Sequence, residues 1–183
     1  ERSDSPLAPL QVLSLMSANN YIEMSLATQR SNATPFQIRA AFVDSFDVNA
    51  FATAQGDIHL CGVHSGLAVF LLKFSMFTLA QPDTFADIGK PDAEAPANLI
   101  SHDLLRTFRA EEADSWFIPQ DAERREFAEA LAQLLLRYVW FHELYHCLNG
   151  HVGFLQQFDQ HATLHEFPAA ETTLVKKVQH AAT

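Results

Sequence analysis

Cysteine is scarce: Cys61 and Cys147 are the only two in 183 residues. That excludes a disulfide framework and fits a reducing compartment, while leaving room for a single bridge. Cations are few as well, 12 Lys plus Arg against 22 Asp plus Glu, for a formal charge of −10. Nucleic acids and anionic membranes reward clusters of Lys and Arg, so neither is expected as a partner. The most apolar run, 67–80, is interrupted by Lys73 and falls short of the roughly 20 residues a bilayer span needs. It reads as a buried helix. Glycine is sparse, with no Gly-rich phosphate loop and no serine nucleophile elbow. The chain opens on Glu1, compatible with a processed product, and a cytoplasmic location is the default expectation.

What is present is apolar and rich in phenylalanine, 48% hydrophobic with 15 Phe, enough to bury one sizeable core in a single domain over 1–183. Pro9 can open a helix over 9–28, with Leu10, Leu13, Met16, Ile22 and Leu26 on its apolar side. The period then changes to two, and Phe36, Ile38, Ala40 and Phe42 predict a half-buried strand over 36–42. Further strands over 46–53 and 57–62 are expected to form a hairpin turning at Gly56. Ser65 is the expected N-cap of a helix over 66–80, and Pro82 its stop. The proline-rich stretch 81–98 reads as an exposed connection, a rim or lid near a cleft. Residues 102–113 are helix-like, and Trp116, Phe117 and Ile118 form a small apolar knot before Pro119.

Asp121 is a good N-cap for a long helix whose early turns carry Glu123 and Glu126, and Gly150 is a natural residue just past its end. Near its C-terminus lies Phe141-His142-Glu143-Leu144-Tyr145-His146-Cys147. Residues four apart share a helix face, so the imidazoles of His142 and His146 can converge on one zinc ion. Glu143 would then stand beside the water that the ion activates, placed to take its proton as general base. Phe127, Leu131, Leu134, Leu135 and Tyr138 form an apolar stripe that continues to His142, Tyr145 and His146, so the histidines are expected on the inward face. A buried carboxylate beside two imidazoles is costly to desolvate without a cation. The competing reading is a pair of core histidines bonded to backbone carbonyls.

A hydrolytic zinc site needs a third protein ligand. The metzincin pattern would require glycine at 149 and histidine at 152, whereas the chain has Asn149, Gly150, His151 and Val152. His151 is therefore second choice. The segment Leu164-His165-Glu166-Phe167-Pro168-Ala169-Ala170-Glu171 resembles the glutamate helix of gluzincin peptidases, with Glu166 at the separation from His146 found in thermolysin-like members. Glu171 competes, because it shares an apolar helix face with Leu164, Phe167, Leu174 and Val178. The resemblance extends upstream to HtpX-like peptidases through Asn49-Ala50-Phe51-Ala52, Gly56, Ile58, Leu60, Gly66-Leu67 and His146-x-x-x-Gly150-His151. It covers 46–72 and 138–171. Two features depart from the family: its membrane-spanning helices have no counterpart, and Ala170 stands where an Asp is usual.

What the resemblance implies is an α+β, zincin-like fold, a small antiparallel or mixed sheet packed on several helices. It also implies a zinc peptidase with His142, His146 and Glu166 as ligands, Glu143 as base, and a protein or peptide as substrate. The alternative is a catalytically inactive gluzincin-fold protein serving in binding or regulation. A third reading treats the motif as accidental and predicts no stoichiometric metal. His59, Cys61 and His64 are read as strand residues, since alternate positions always share a face. Cys147 is read as a packing residue.

Overall fold

A computed structural model describes residues 19–20, 37–95, 116–159 and 163–165. Apart from residues 19–20, which are helical, the helix expected over 9–28 lies outside the described residues, as do the helix expected over 102–113, Glu166 and Glu171. Within them the chain is α+β, a small mixed sheet of four strands with three helices.

The strands are β1 (Gln37–Val43), β2 (Ala50–Gln55), β3 (Ile58–His64) and β4 (Leu164–His165), arranged β1-β3-β2-β4. The expected hairpin is β2 and β3, antiparallel, with Ala52 opposite Cys61 and Ala50 opposite Val63. β1 joins the far side of β3 in parallel, and β4 pairs with β2 antiparallel, so the sheet is mixed. Period-two alternation is seen at the start of β1, where exposed Gln37 and Arg39 flank buried Ile38, and gives way to half-buried residues over 40–43. Ile38, Ala40 and Phe42 fall in register with His59, Cys61 and Val63, and Phe42 meets Trp140 edge-on at 5.3 Å. One sheet face therefore packs on the helices, with Ala50, Ala52, Cys61 and Val63 all buried.

The helices are α1 (Ser65–Leu79), α2 (Ala122–Leu148) and α3 (His151–Gln156), and Pro91–Ala93 forms a single 3-10 turn. Ser65 does not cap α1. His64 takes the cap position with no side-chain cap bond, and the Ser65 hydroxyl instead donates to the Val43 carbonyl at 3.2 Å. What fixes this helix start is close backbone contact. Gly66 N–H donates to Ser45 O at 2.8 Å, and a Cβ at Gly66 would lie 2.2 Å from Phe46 O.

Asp121 does cap α2, accepting from Arg124 N–H at 3.1 Å. The buried face of α2, however, is offset from the predicted stripe, of which Phe127 and Leu131 pack against the core only at its border. It runs Arg124, Ala128, Ala132, Leu136, Trp140, Glu143, Leu144 and Cys147, while Leu134 is 62% and Tyr138 66% exposed. Alanines at 128 and 132 let α1 and the sheet approach closely, so the packed side is the one with small residues. A reading that follows the largest apolar side chains selects the neighbouring side.

The connection after α1 is largely exposed or half-buried over 81–95, as expected, but it is tied to α2. Arg124, fully buried, gathers it in: Nε donates to Leu79 O at 2.8 Å, and the terminal nitrogens donate to the carbonyls of Phe85, Ile88, Gln81 and Thr84 at 2.8–2.9 Å. Glu94 completes the cluster, 3.8 Å from Arg124 Nε, while accepting from Gln120 N–H at 2.9 Å and Asp121 N–H at 3.0 Å. The Leu79 carbonyl at the end of α1 and four carbonyls of the connection thereby gain a cation. This cluster lies in the first turn of α2, roughly 27 Å along the axis from His142.

Candidate metal centre

α2 ends at Leu148 and Asn149 follows as its C-cap. Gly150 then takes the left-handed conformation, φ 73°, which reverses the chain into α3 and turns His151 back over the last turn of α2. Gln156 Nε2 donates to Ala54 O at 2.7 Å, fastening α3 to β2.

Three imidazoles come together at this corner. His142 Nε2 and His146 Nε2 are 3.0 Å apart, and His146 Nδ1 lies 2.9 Å from His151 Nδ1. The first separation serves an N–H···N hydrogen bond, and it is close to the roughly 3.3 Å expected between two nitrogens on one tetrahedral zinc. His142 and His146 are half-buried, on the flank of α2 between its packed face and an exposed row of Tyr138, Phe141 and Tyr145. They are not on the inward face as expected. That position is taken by Glu143, a residue only 1% exposed.

His151 faces the opposite ring nitrogen of His146 from the one that faces His142. In this arrangement it is a support for His146 and not a third donor beside the paired Nε2 atoms. Among the described residues no three His, Cys, Asp or Glu side chains are grouped to hold a metal ion. Glu166 and Glu171 are outside those residues. Their neighbour His165 is on the edge strand β4, opposite Phe51, and its Nδ1 is 3.3 Å from Asn49 Nδ2. Because Leu164 and His165 form a strand, a helix through this segment does not begin at Leu164.

His59 and Cys61 do share a sheet face, and among the described residues neither His59 nor His64 belongs to a metal-holding group. Burial lowers the pKa of His59. His64 is also lowered, by burial first and by the neighbouring His165, against an upward pull from Asp47. Cys61 carries a different signal: its sulfur is 3.5 Å from that of Cys147. The hydrogen bond between them, then burial and then the charges of Cys147 and Glu143, push the Cys61 thiol far up. The sequence left room for a bridge between its two cysteines, but residues 61 and 147 share no local signal that would bring them together.

Comparison with family models, with curated proteins and with solved structures returns no match. Among the described residues, no helix is long and apolar enough to cross a membrane.

Proposed function

We propose that this chain is a zinc-dependent peptidase of the gluzincin type, a zincin-like fold acting on a protein or peptide. The observation that carries the reading is the 3.0 Å approach of His142 Nε2 and His146 Nε2 from consecutive turns of one helix. Two nitrogens so placed fit two of the three ligands of a hydrolytic zinc site, and the carboxylate of Glu166 is the proposed third. Bound there, zinc supplies a Lewis acid that makes a water nucleophilic at neutral pH and polarises the scissile carbonyl. Glu143, next to His142 on the helix, would be the base for that water's proton, acting from the buried position its side chain holds. His151 holds His146 in the orientation that turns Nε2 toward His142. Tyr138, Phe141 and Tyr145 give the approach an apolar border against which peptide side chains can lie.

The test is Glu143→Gln. Zinc content of the purified protein, measured by atomic emission, should stay near one ion per chain, while chelator-sensitive cleavage of casein or a peptide library falls by about 10³-fold or more. Undiminished turnover in that variant refutes the assigned base. The burial of Glu143 favours a second reading, a non-enzymatic binding or regulatory module in which the metal only ties helices together. Stoichiometric zinc without any hydrolysis by the unaltered chain would select it.

A further inference from the structure

The chain's two cysteines come from distant parts of the sequence and meet in the core. Cys61 on β3 and Cys147 in the last turn of α2 are both free thiols, 0% and 2% exposed, with sulfurs 3.5 Å apart. Closing that gap to a covalent bond, about 2.05 Å, asks for a shift of roughly 1.5 Å shared between two side chains. We propose that Cys61 and Cys147 are a disulfide-forming site, a reversible clip between the sheet and the helical turn that carries Glu143 and His146. The inference is independent of the peptidase reading, because it needs neither a metal nor a substrate.

With a peroxide as oxidant the step balances. One sulfur, as thiolate, attacks a peroxide oxygen, the O–O bond breaks and hydroxide leaves, giving a sulfenic acid. The second sulfur then attacks the first, the S–O bond breaks, and the hydroxyl leaves as water with the proton of the second thiol. Two thiols and one hydrogen peroxide thus yield one disulfide and two waters. With a small disulfide such as oxidised glutathione, the same two electrons pass by exchange, through one mixed disulfide and with release of two glutathione thiols.

Both sulfurs are enclosed, and the Cys61 proton is held by its hydrogen bond and by burial. The native pair therefore reacts slowly, and the bond forms chiefly when the contact between β3 and α2 opens or while the chain is folding. Once formed, it fixes the Glu143–Cys147 turn against β3. Cys147 directly follows His146 and Cys61 lies within electrostatic reach of Glu143, so the clip acts on the very turn that carries the HExxH residues.

The full chain would be refolded from denaturant in a glutathione redox buffer, alkylated under denaturing conditions and weighed intact. The expected result is a chain lighter by two hydrogens with no alkyl group, and a single cross-linked peptide joining residues 61 and 147 in a non-reducing digest. Dithiothreitol should restore two alkylation sites. The oxidised form should melt higher by on the order of 5–10 °C, since the bond closes a long loop. Cys61→Ser should lose the cross-link and the shift together. Two alkylated cysteines after oxidative refolding overturn the proposal, as does a disulfide between two chains in place of the internal one.

Discussion

The two ring nitrogens of His146 face different imidazoles, Nε2 toward His142 at 3.0 Å and Nδ1 toward His151 at 2.9 Å. An imidazole that gives one nitrogen to a metal keeps its proton on the other, and a partner for that proton fixes both tautomer and ring angle. His151 is the acceptor in that scheme. Its side chain is exposed and lies beyond Gly150, outside the packed face of α2, so removing it takes little from the core. His151→Ala should therefore weaken zinc binding by about 10–100-fold, measured by competition with a chromophoric chelator, with the melting temperature of the metal-free protein almost unchanged. Equal zinc affinity in the variant would show that His151 does not support the site. His151 was visible in the sequence as a candidate ligand, yet its role depends on which nitrogen of His146 it meets. That follows from the left-handed turn at Gly150 and from no spacing rule.

At the scale of elements, α2 does two separate jobs at its two ends. The first turn holds the 81–95 connection through Arg124, and the last turns present the histidines. Arg124 offers its donors to five carbonyls inside the protein with Glu94 alongside. Arg124→Met would leave those carbonyls and a buried carboxylate without their cation, and breaking such a buried network costs about 3–5 kcal/mol. The check is the urea midpoint, and a loss below about 1 kcal/mol would mean that water replaces the guanidinium without penalty. Zinc affinity should not change, given the roughly 27 Å between the two ends. Much of this layout was legible beforehand. The caps at Asp121 and Gly150, the hairpin about Gly56 and the alternation at the start of β1 are local signals, each set by residues within a few positions. The inner face of α2 was not legible, because it is chosen by what packs against it: Ala128 and Ala132 are weak markers until α1 lies on them. Ser65 misled for a related reason, since its hydroxyl found the Val43 carbonyl on a neighbouring strand before it could serve its own helix.

For the molecule as a whole, the sheet histidines make stability depend on pH independently of any metal. His59 and His64 both have pKa values below the ordinary histidine range, chiefly because burial disfavours the imidazolium. In the unfolded chain each titrates near 6.5. The sign follows directly. Between that value and the lower folded pKa the unfolded chain binds more protons than the folded one, so stability rises with pH there. Their contribution is complete above about pH 7 and is lost as pH falls through the window below about 6.5. The expected outcome is a urea midpoint that decreases from pH 7 toward pH 5 in chelator-treated protein, where metal loss plays no part. His59→Gln should flatten part of that slope, since glutamine keeps a polar side chain on the strand and removes the proton. Asp47 attenuates the share from His64 by favouring its charged form, so Asp47→Asn should steepen the slope. The two substitutions thus act in opposite directions on one measured curve, and a slope that neither changes would locate the acid sensitivity elsewhere in the chain.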